Sequence, residues 1–140
     1  MTLEIGLTDD LAACLELRRI VFMEEQNVSE ADERDGKDDV AHHILARQKD
    51  RPVGCARILI DGHSGKIGRV CVLKDQRGTG LGQALMKGCL EHLRTMPEVT
   101  RAVLGAQTHA LGFYENLGFV AFGPEFLDAD IPHRMMERAL

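Results

Sequence analysis

The chain has 140 residues, 44% of them hydrophobic, and a formal net charge of -5 at pH 7. That length suits one globular domain, 1–140, with a single core that buries roughly 70% of the surface of the unfolded chain. The acidic balance lacks the basic face a phosphate-backbone binder needs, so no nucleic acid partner is expected.

Leu3 to Leu7 alternates and reads as a short strand. Thr8, followed by Asp9 and Asp10, predicts an N-cap with an acidic first turn. Leu11, Cys14, Leu15, Arg18 and Phe22 then recur at helical spacing, with Val21 widening the stripe, which predicts a helix to about Glu25 packed by one face on a sheet. The start MTLEIGLTDD has no basic and apolar leader pattern, and no segment approaches the ~20 apolar residues that span a bilayer. A cytoplasmic protein with no membrane partner is expected.

From Gln26 to Asp39 the periodicity is lost and acids crowd in: Glu30, Asp32, Glu33, Asp35, Asp38 and Asp39, after Glu24 and Glu25. A loop or short irregular helix fits, and charge runs of this kind are usually solvated. Ala41–Gln48 and Val53–Ile60 read as strands around a turn at Lys49-Asp50-Arg51-Pro52, and Asp61–Gly65 turns into a strand over Lys66–Leu73. After a glycine-rich turn, Leu81, Ala84, Leu85, Gly88 and His92 share a helical face with Met86, Cys89 and Leu93 beside it, closed by Pro97. Val99–Ala106 is a strand, Thr108–Asn116 a short helix, Gly118–Phe122 a strand and His133–Leu140 a last edge strand, which could extend the sheet across a homodimer. The order predicts an α/β (α+β) fold: a mixed sheet with helices on both faces. Cys14, Cys55, Cys71 and Cys89 form no CxxC pair and lie in apolar segments, which predicts buried thiols. None of the six histidines has metal-ligand spacing, and no metal is expected.

Gly78, Gly80 and Gly82 spell GxGxG. A dinucleotide fingerprint or a P-loop starting at Gly78 would need glycine at 83, where the chain has Gln83, and a P-loop would continue with Lys and Ser or Thr, where it has Ala84 and Leu85. Residues without a Cβ still let the backbone approach a ligand, and the first N–H groups of the following helix point outward. Several such amides can hold a pyrophosphate without a lysine, with Arg77 as one flexible cationic contact; a turn that merely joins strand to helix is the plainer alternative.

Read as Gln76-Arg77-Gly78-Thr79-Gly80-Leu81-Gly82, the turn resembles the Q/R-x-x-G-x-G/A signature of the GCN5-related N-acetyltransferases (GNAT), with Arg77, Gly80 and Gly82 on the motif positions. Ala106-Gln107 and Phe113-Tyr114-Glu115-Asn116-Leu117-Gly118-Phe119 resemble the second motif of that superfamily. Val21-Phe22, Glu25-Gln26, Asp35, His43, Lys66–Val70 and Ile131-Pro132-His133 are similar to its ElaA-like branch. The resemblance implies a mostly antiparallel sheet of six to seven strands, splayed into a V between its fourth and fifth strands. Acetyl-CoA would enter this cleft, its pyrophosphate on the amides of Arg77, Gly78, Thr79, Gly80, Leu81 and Gly82. Val70, Cys71 and Val72 would pair with the pantetheine arm and, at a bulge, offer an N–H to the thioester oxygen, with Gln107 and Tyr114 completing the coenzyme site.

Acetyl transfer needs a neutral amine, a polarised thioester carbonyl and a proton for the departing thiolate. Tyr114, the only tyrosine, stands where the family places its general acid. Glu25, Glu33, Asp35 and His43 are candidates for the base or the acceptor pocket, with Glu33 and His43 as the catalytic pair and Glu25 and Asp35 on the substrate. His133 is carried over from the family as a lining of the acceptor pocket. The crowded acids favour a cationic acceptor, a polyamine or lysine-like amine of a small molecule or peptide. A non-catalytic acyl-CoA sensor on the same fold is the alternative.

Overall fold

The computed structural model describes residues 3–140. Its strands are β1 (Leu3–Thr8), β2 (His42–Gln48), β3 (Arg51–Asp61), β4 (Ser64–Val72), β5 (Arg101–Gln107), β6 (Val120–Asp128) and β7 (Ile131–Ala139). Its helices are α1 (Leu11–Arg18), α2 (Glu30–Glu33), α3 (Leu81–Arg94) and α4 (Leu111–Glu115), with a π-helical segment at Arg19–Glu25. The strands form one mixed sheet, β1-β2-β3-β4-β5-β7-β6, in which only β4 and β5 pair in parallel.

Strands covered on both faces read as continuous apolar runs rather than as alternation, and β2 and β3 do so. Leu45, Cys55 and Cys71 face Cys14, Leu17 and Val21 of the first helical segment. The opposite side chains, Ile44, Ala56, Ile58 and Ile67, pack on Leu85, Met86, Cys89 and Leu93 of α3. Each such aliphatic side chain contributes about 1.5–3 kcal/mol by leaving water. All four thiols are free and buried, as their apolar settings imply.

Local departures from the sequence reading have identifiable causes. Asp10, not Thr8, caps α1, because its carboxylate reaches the Ala13 N–H at 3.1 Å while Thr8 still pairs in β1. The β2–β3 turn is only Lys49 and Asp50, both at positive φ, which matches the twist of a two-residue hairpin. Pro52 therefore lies within β3, beside a register shift at Ala46/Arg47 where a strand tolerates a missing N–H. The expected last edge strand is corrected: β7 lies between β5 and β6, and β6 is the edge. The tight turn at Ala129 and Asp130, both at positive φ, returns the chain along β6 and was not legible as a hairpin. Among the described residues no helix is long and apolar enough to cross a membrane.

β2 and α3 are also joined by a histidine pair, His42 Nδ1 and His92 Nε2 at 2.8 Å. One nitrogen must donate and the other accept, so the bond needs a neutral ring. Burial, and then the charge of His42, hold the His92 pKa below 6.5. The unfolded chain therefore binds this proton more readily, and the stabilisation is complete above pH 6.5 and lost as pH falls. Thermal melts of His92→Phe and the parent between pH 7.5 and 5 should show a smaller acid-induced fall in Tm for the variant. Parallel curves would remove this pair from the pH dependence.

Candidate active site

β4 and β5 pair at only three positions, Ser64 with Arg101, Gly65 with Ala102 and Lys66 with Val103. Beyond them β4 bends away. Gly68 faces Arg57 and Cys71 faces Cys55, so Arg69 and Val70 together oppose Ala56 in a bulge, with Arg69 held at φ +51. A bulge adds a bend and leaves a residue unpaired, and here it opens the sheet into a V. The split widens into a cavity of about 540 Å³, large enough for a small molecule. Gly68 and Val70 belong to one wall; Leu104, Gln107 and His133 belong to the other.

The glycine turn lies past the end of β4. Gly78 and Gly80 adopt φ +78 and +87, the left-handed region where a Cβ would be strained, and Gly80 leads directly into α3. The Arg77 N–H donates to the Lys74 carbonyl, and the first intrahelical bond runs from the Ala84 N–H to the Gly80 carbonyl. Between them, the amides of residues 78–83 have no hydrogen-bond partner among the described residues. The turn is thus a row of donors at the positive end of a 14-residue helix. The Thr79 hydroxyl donates back to the Gln76 carbonyl, at 2.6 Å, and tightens the turn.

Two side-chain bonds reach the walls of the split from consecutive residues. Arg77 Nη2 lies 2.8 Å from Glu25 Oε2, and Gln107 Nε2 donates to Gln26 Oε1 at 3.1 Å. Glu25, one of the expected acceptor-side residues, is therefore paired with Arg77, one of the expected coenzyme-side residues.

Tyr114, on α4, lines the cavity with its ring edge-on to Phe113 and Phe119, at centroid distances of 5.0 and 6.1 Å. Burial, and then the neighbouring Cys89, push its phenol up to about 12. His133 is buried on the wall formed by β5 and β7, stacked on Phe126 at 5.7 Å. Its Nδ1 lies 2.6 Å from the Ile131 carbonyl, which can only accept, so Nδ1 carries the proton and Nε2 of the neutral ring is left as an acceptor.

Part of the acid-rich loop is not solvated: Glu30, Asp32 and Asp39 are exposed, but Glu33, Asp35 and Asp38 are held by arginines. Arg18 reaches Glu33 at 2.9 Å and Asp38 at 2.7 Å; Arg57 grips Asp35 at 2.7 Å and touches Asp38; Arg69 reaches Glu33 at 3.0 Å. Three guanidinium groups thus face three carboxylates and the charges cancel. Burial opposes the charge on Arg18, but the bonds from Asp38 and Glu33 outweigh it and hold its pKa above the ordinary value. The Arg57 fork holds the Asp35 carboxyl well below the usual carboxylate range. Burial opposes ionisation of Asp38, yet Arg18 and Arg57 outweigh it and lower that carboxyl too. Glu33, Asp35 and Asp38 thus add no net charge to the wall, and among the loop acids that line the cavity only Asp32 is left outside the network to favour a cationic acceptor.

Val70, Glu33, Asp35, Gln107, Tyr114 and His133 therefore meet at one cavity. Cys71 is turned the other way, its Sγ 3.5 Å from that of Cys55, and only its backbone belongs to the cavity strand. The Val72 carbonyl accepts from Arg77 Nε at 3.2 Å. His43 is buried on β2, outside the cavity lining, with Nε2 3.0 Å from the Asp38 carbonyl. Sequence reasoning missed Arg18, Arg57, Arg69 and Asp38. The signal was present for two of them: Arg18 lies on an apolar helical stripe and Arg57 within a buried strand, and arginine is almost never fully buried unpaired.

The sequence profile of the family described as Acetyltransferase (GNAT) domain matches residues 16–140. The uncharacterised Bacillus subtilis protein YyaT is 42% identical over 134 residues, covering 94% of this chain and 90% of its own. A crystal structure of an acyl-CoA N-acyltransferase from Pseudomonas aeruginosa superposes with a TM-score of 0.89 at 34% identity, over 99% of this chain and 100% of that one. The crystal structure of Escherichia coli ElaA superposes with a TM-score of 0.86 at 35% identity, over 99% of both chains.

Proposed function

Because the chain belongs to the GNAT acetyltransferase family, in its ElaA-like branch, we propose that it transfers an acetyl group from acetyl-CoA to a primary amine of a small molecule or peptide, by direct attack in a ternary complex. The observation that carries this reading is the juxtaposition of a bulged, split sheet with a run of unpartnered amides at residues 78–83. A diphosphate matches those donors, and the unpaired edge of β4 from Gly68 to Val72 matches an amide-bearing arm. Acetyl-CoA bound there supplies the thioester as the electrophile.

The residues of the chain then divide the work. The backbone N–H at the Arg69–Val70 bulge polarises the thioester carbonyl, a kind of contact whose loss elsewhere costs about 2.7–4 kcal/mol. Tyr114 holds the proton for the departing sulfur. For the amine, His133 is the better-supported acceptor, since its Nδ1 bond leaves Nε2 with a lone pair and the residue lines the cavity. The Glu33 oxygens are already taken up by bonds from Arg18 and Arg69, and His43 lies behind the wall; both have positioning roles.

An acetyl-CoA turnover screen against polyamines, aminoglycosides, amino acids and peptides, with mass detection of the product, tests the reading. Amine-dependent release of free CoA with a product heavier by one acetyl group is expected. CoA binding without amine-dependent cleavage would make the protein a sensor, and no CoA binding would remove the site.

A further inference from the structure

The bulge of β4 holds a conformation that its own residue resists. Among the described residues, those other than glycine with positive φ are Asn27, Lys49, Asp50, Arg69, Ala129 and Asp130. Lys49 with Asp50, and Ala129 with Asp130, are the centres of two-residue hairpin turns, and Asn27 is of a type that tolerates this region. Arg69 alone lies inside a strand, at φ +51, where the left-handed region crowds its Cβ. Such a residue keeps this geometry only where its surroundings impose it.

The surroundings that do so are attached to its side chain. The guanidinium turns onto the end of α2: Nε donates to the Glu33 carboxylate at 3.0 Å, and Nη2 donates to the Glu33 carbonyl at 3.0 Å and to the Asp32 carbonyl at 3.3 Å. The last carbonyls of a helix lack partners within it, so they are free to take these bonds. Glu33 is itself fixed, because Arg18 Nε lies 3.0 and 3.1 Å from its two carboxylate oxygens. A line of contacts therefore runs from the core helix α1 through Arg18 and Glu33 to Arg69, and ends on the one strand residue with a strained backbone. Without the guanidinium the strain would remain and what opposes it would be gone.

Resting on the acetyl-transfer reading, we infer that Arg69 is a positioning residue: its guanidinium, tied to α2, keeps the bulge left-handed and so aims the N–H of the Arg69–Val70 step at the thioester oxygen of bound acetyl-CoA. The peptide plane between Arg69 and Val70 turns with the Arg69 dihedrals, so relaxation to an ordinary strand conformation swings that N–H away. The glycine turn and its amides at 78–83 lie beyond the end of β4 and stay in place. Loss of the tether therefore falls on the thioester carbonyl and not on the diphosphate.

The test reads the thioester carbonyl of acetyl-CoA bound to the full chain, by infrared difference spectroscopy with an isotope label at that carbon, beside calorimetric Kd values for CoA. Donation from a fixed N–H lowers the stretching frequency, so the parent band is expected below that of free acetyl-CoA. Arg69→Ala, which keeps the strain and loses the tether, should lose most of this shift while its Kd for CoA stays within about twofold. Arg69→Gly, which loses the tether but adopts positive φ without strain, should lose a smaller part of it. Should melts show that the alanine variant does not fold, the glycine variant decides on the same two readouts. A parent band at the free position, a shift kept in full by the folded variant, or a shift lost only together with CoA binding overturns the inference. A shift kept in full leaves acetyl transfer standing without the tether; a shift that follows Arg69 while no amine is acetylated upholds the tether and counts against acetyl transfer.

Discussion

Tyr114→Phe should lower kcat by about 10²–10⁴-fold, the usual contribution of a positioned proton donor, while the Kd for CoA stays within about twofold. The variant keeps the ring that packs edge-on against Phe113 and Phe119 and removes only the hydroxyl. A phenol pushed up to about 12 looks too weak an acid for a thiolate of ordinary pKa ~8.5. Desolvation acts in the same direction on the leaving group: a sulfur anion released beside Tyr114 has left bulk water, which raises its proton affinity as well. The same raised value keeps the donor protonated, so kcat should show no alkaline loss up to about pH 10. Stopped-flow or steady-state assays of CoA release would measure both, and an undiminished kcat in the variant would sink the assignment.

Glu33→Gln should cost about 3–5 kcal/mol of stability, the range seen when one partner of a buried ion pair is removed, which for a chain of this size lowers Tm by roughly 10–20 °C. Glu33 is 2% exposed and binds Arg18, 1% exposed, through Nε and Nη2, and Arg69 through Nε. The amide keeps the shape and loses the charge, leaving Arg18 with Asp38 alone. In the parent, Asp35 and Asp38 titrate below the ordinary 3.8, so their stabilisation is complete above that pH and lost as pH falls through the lowered values. Calorimetric melts near neutral pH would measure the loss, and a Tm within a few degrees of the parent would show the network to be dispensable.

The sequence was most informative where one physical cause acts on a stretch of chain. The helical stripe before Pro97, the apolar strands and the glycine turn were each legible because periodicity or a missing Cβ acts locally. The two motifs flanking Gly80 and Tyr114 carried the family assignment and with it the split sheet. The position of β7 was not legible, since a turn built on Ala129 and Asp130 lacks the glycine or asparagine that usually marks positive φ. The arginine network was hidden for another reason. Its members lie on α1, β3 and β4 and around α2, and only the folded sheet brings these together, so the acidic loop looked solvated when read alone. His133 became informative only through its carbonyl partner, a contact two residues away that spacing does not announce.

Consecutive residues, Glu25 and Gln26, hold opposite walls of the split through Arg77 and Gln107. The end of the π-helical segment is therefore a crosspiece across the mouth of the V, and any guest that spreads the walls strains both fastenings together. Phe22 and Val28, on either side of this crosspiece, line the cavity, so one short segment both spans the mouth and shapes the chamber behind it.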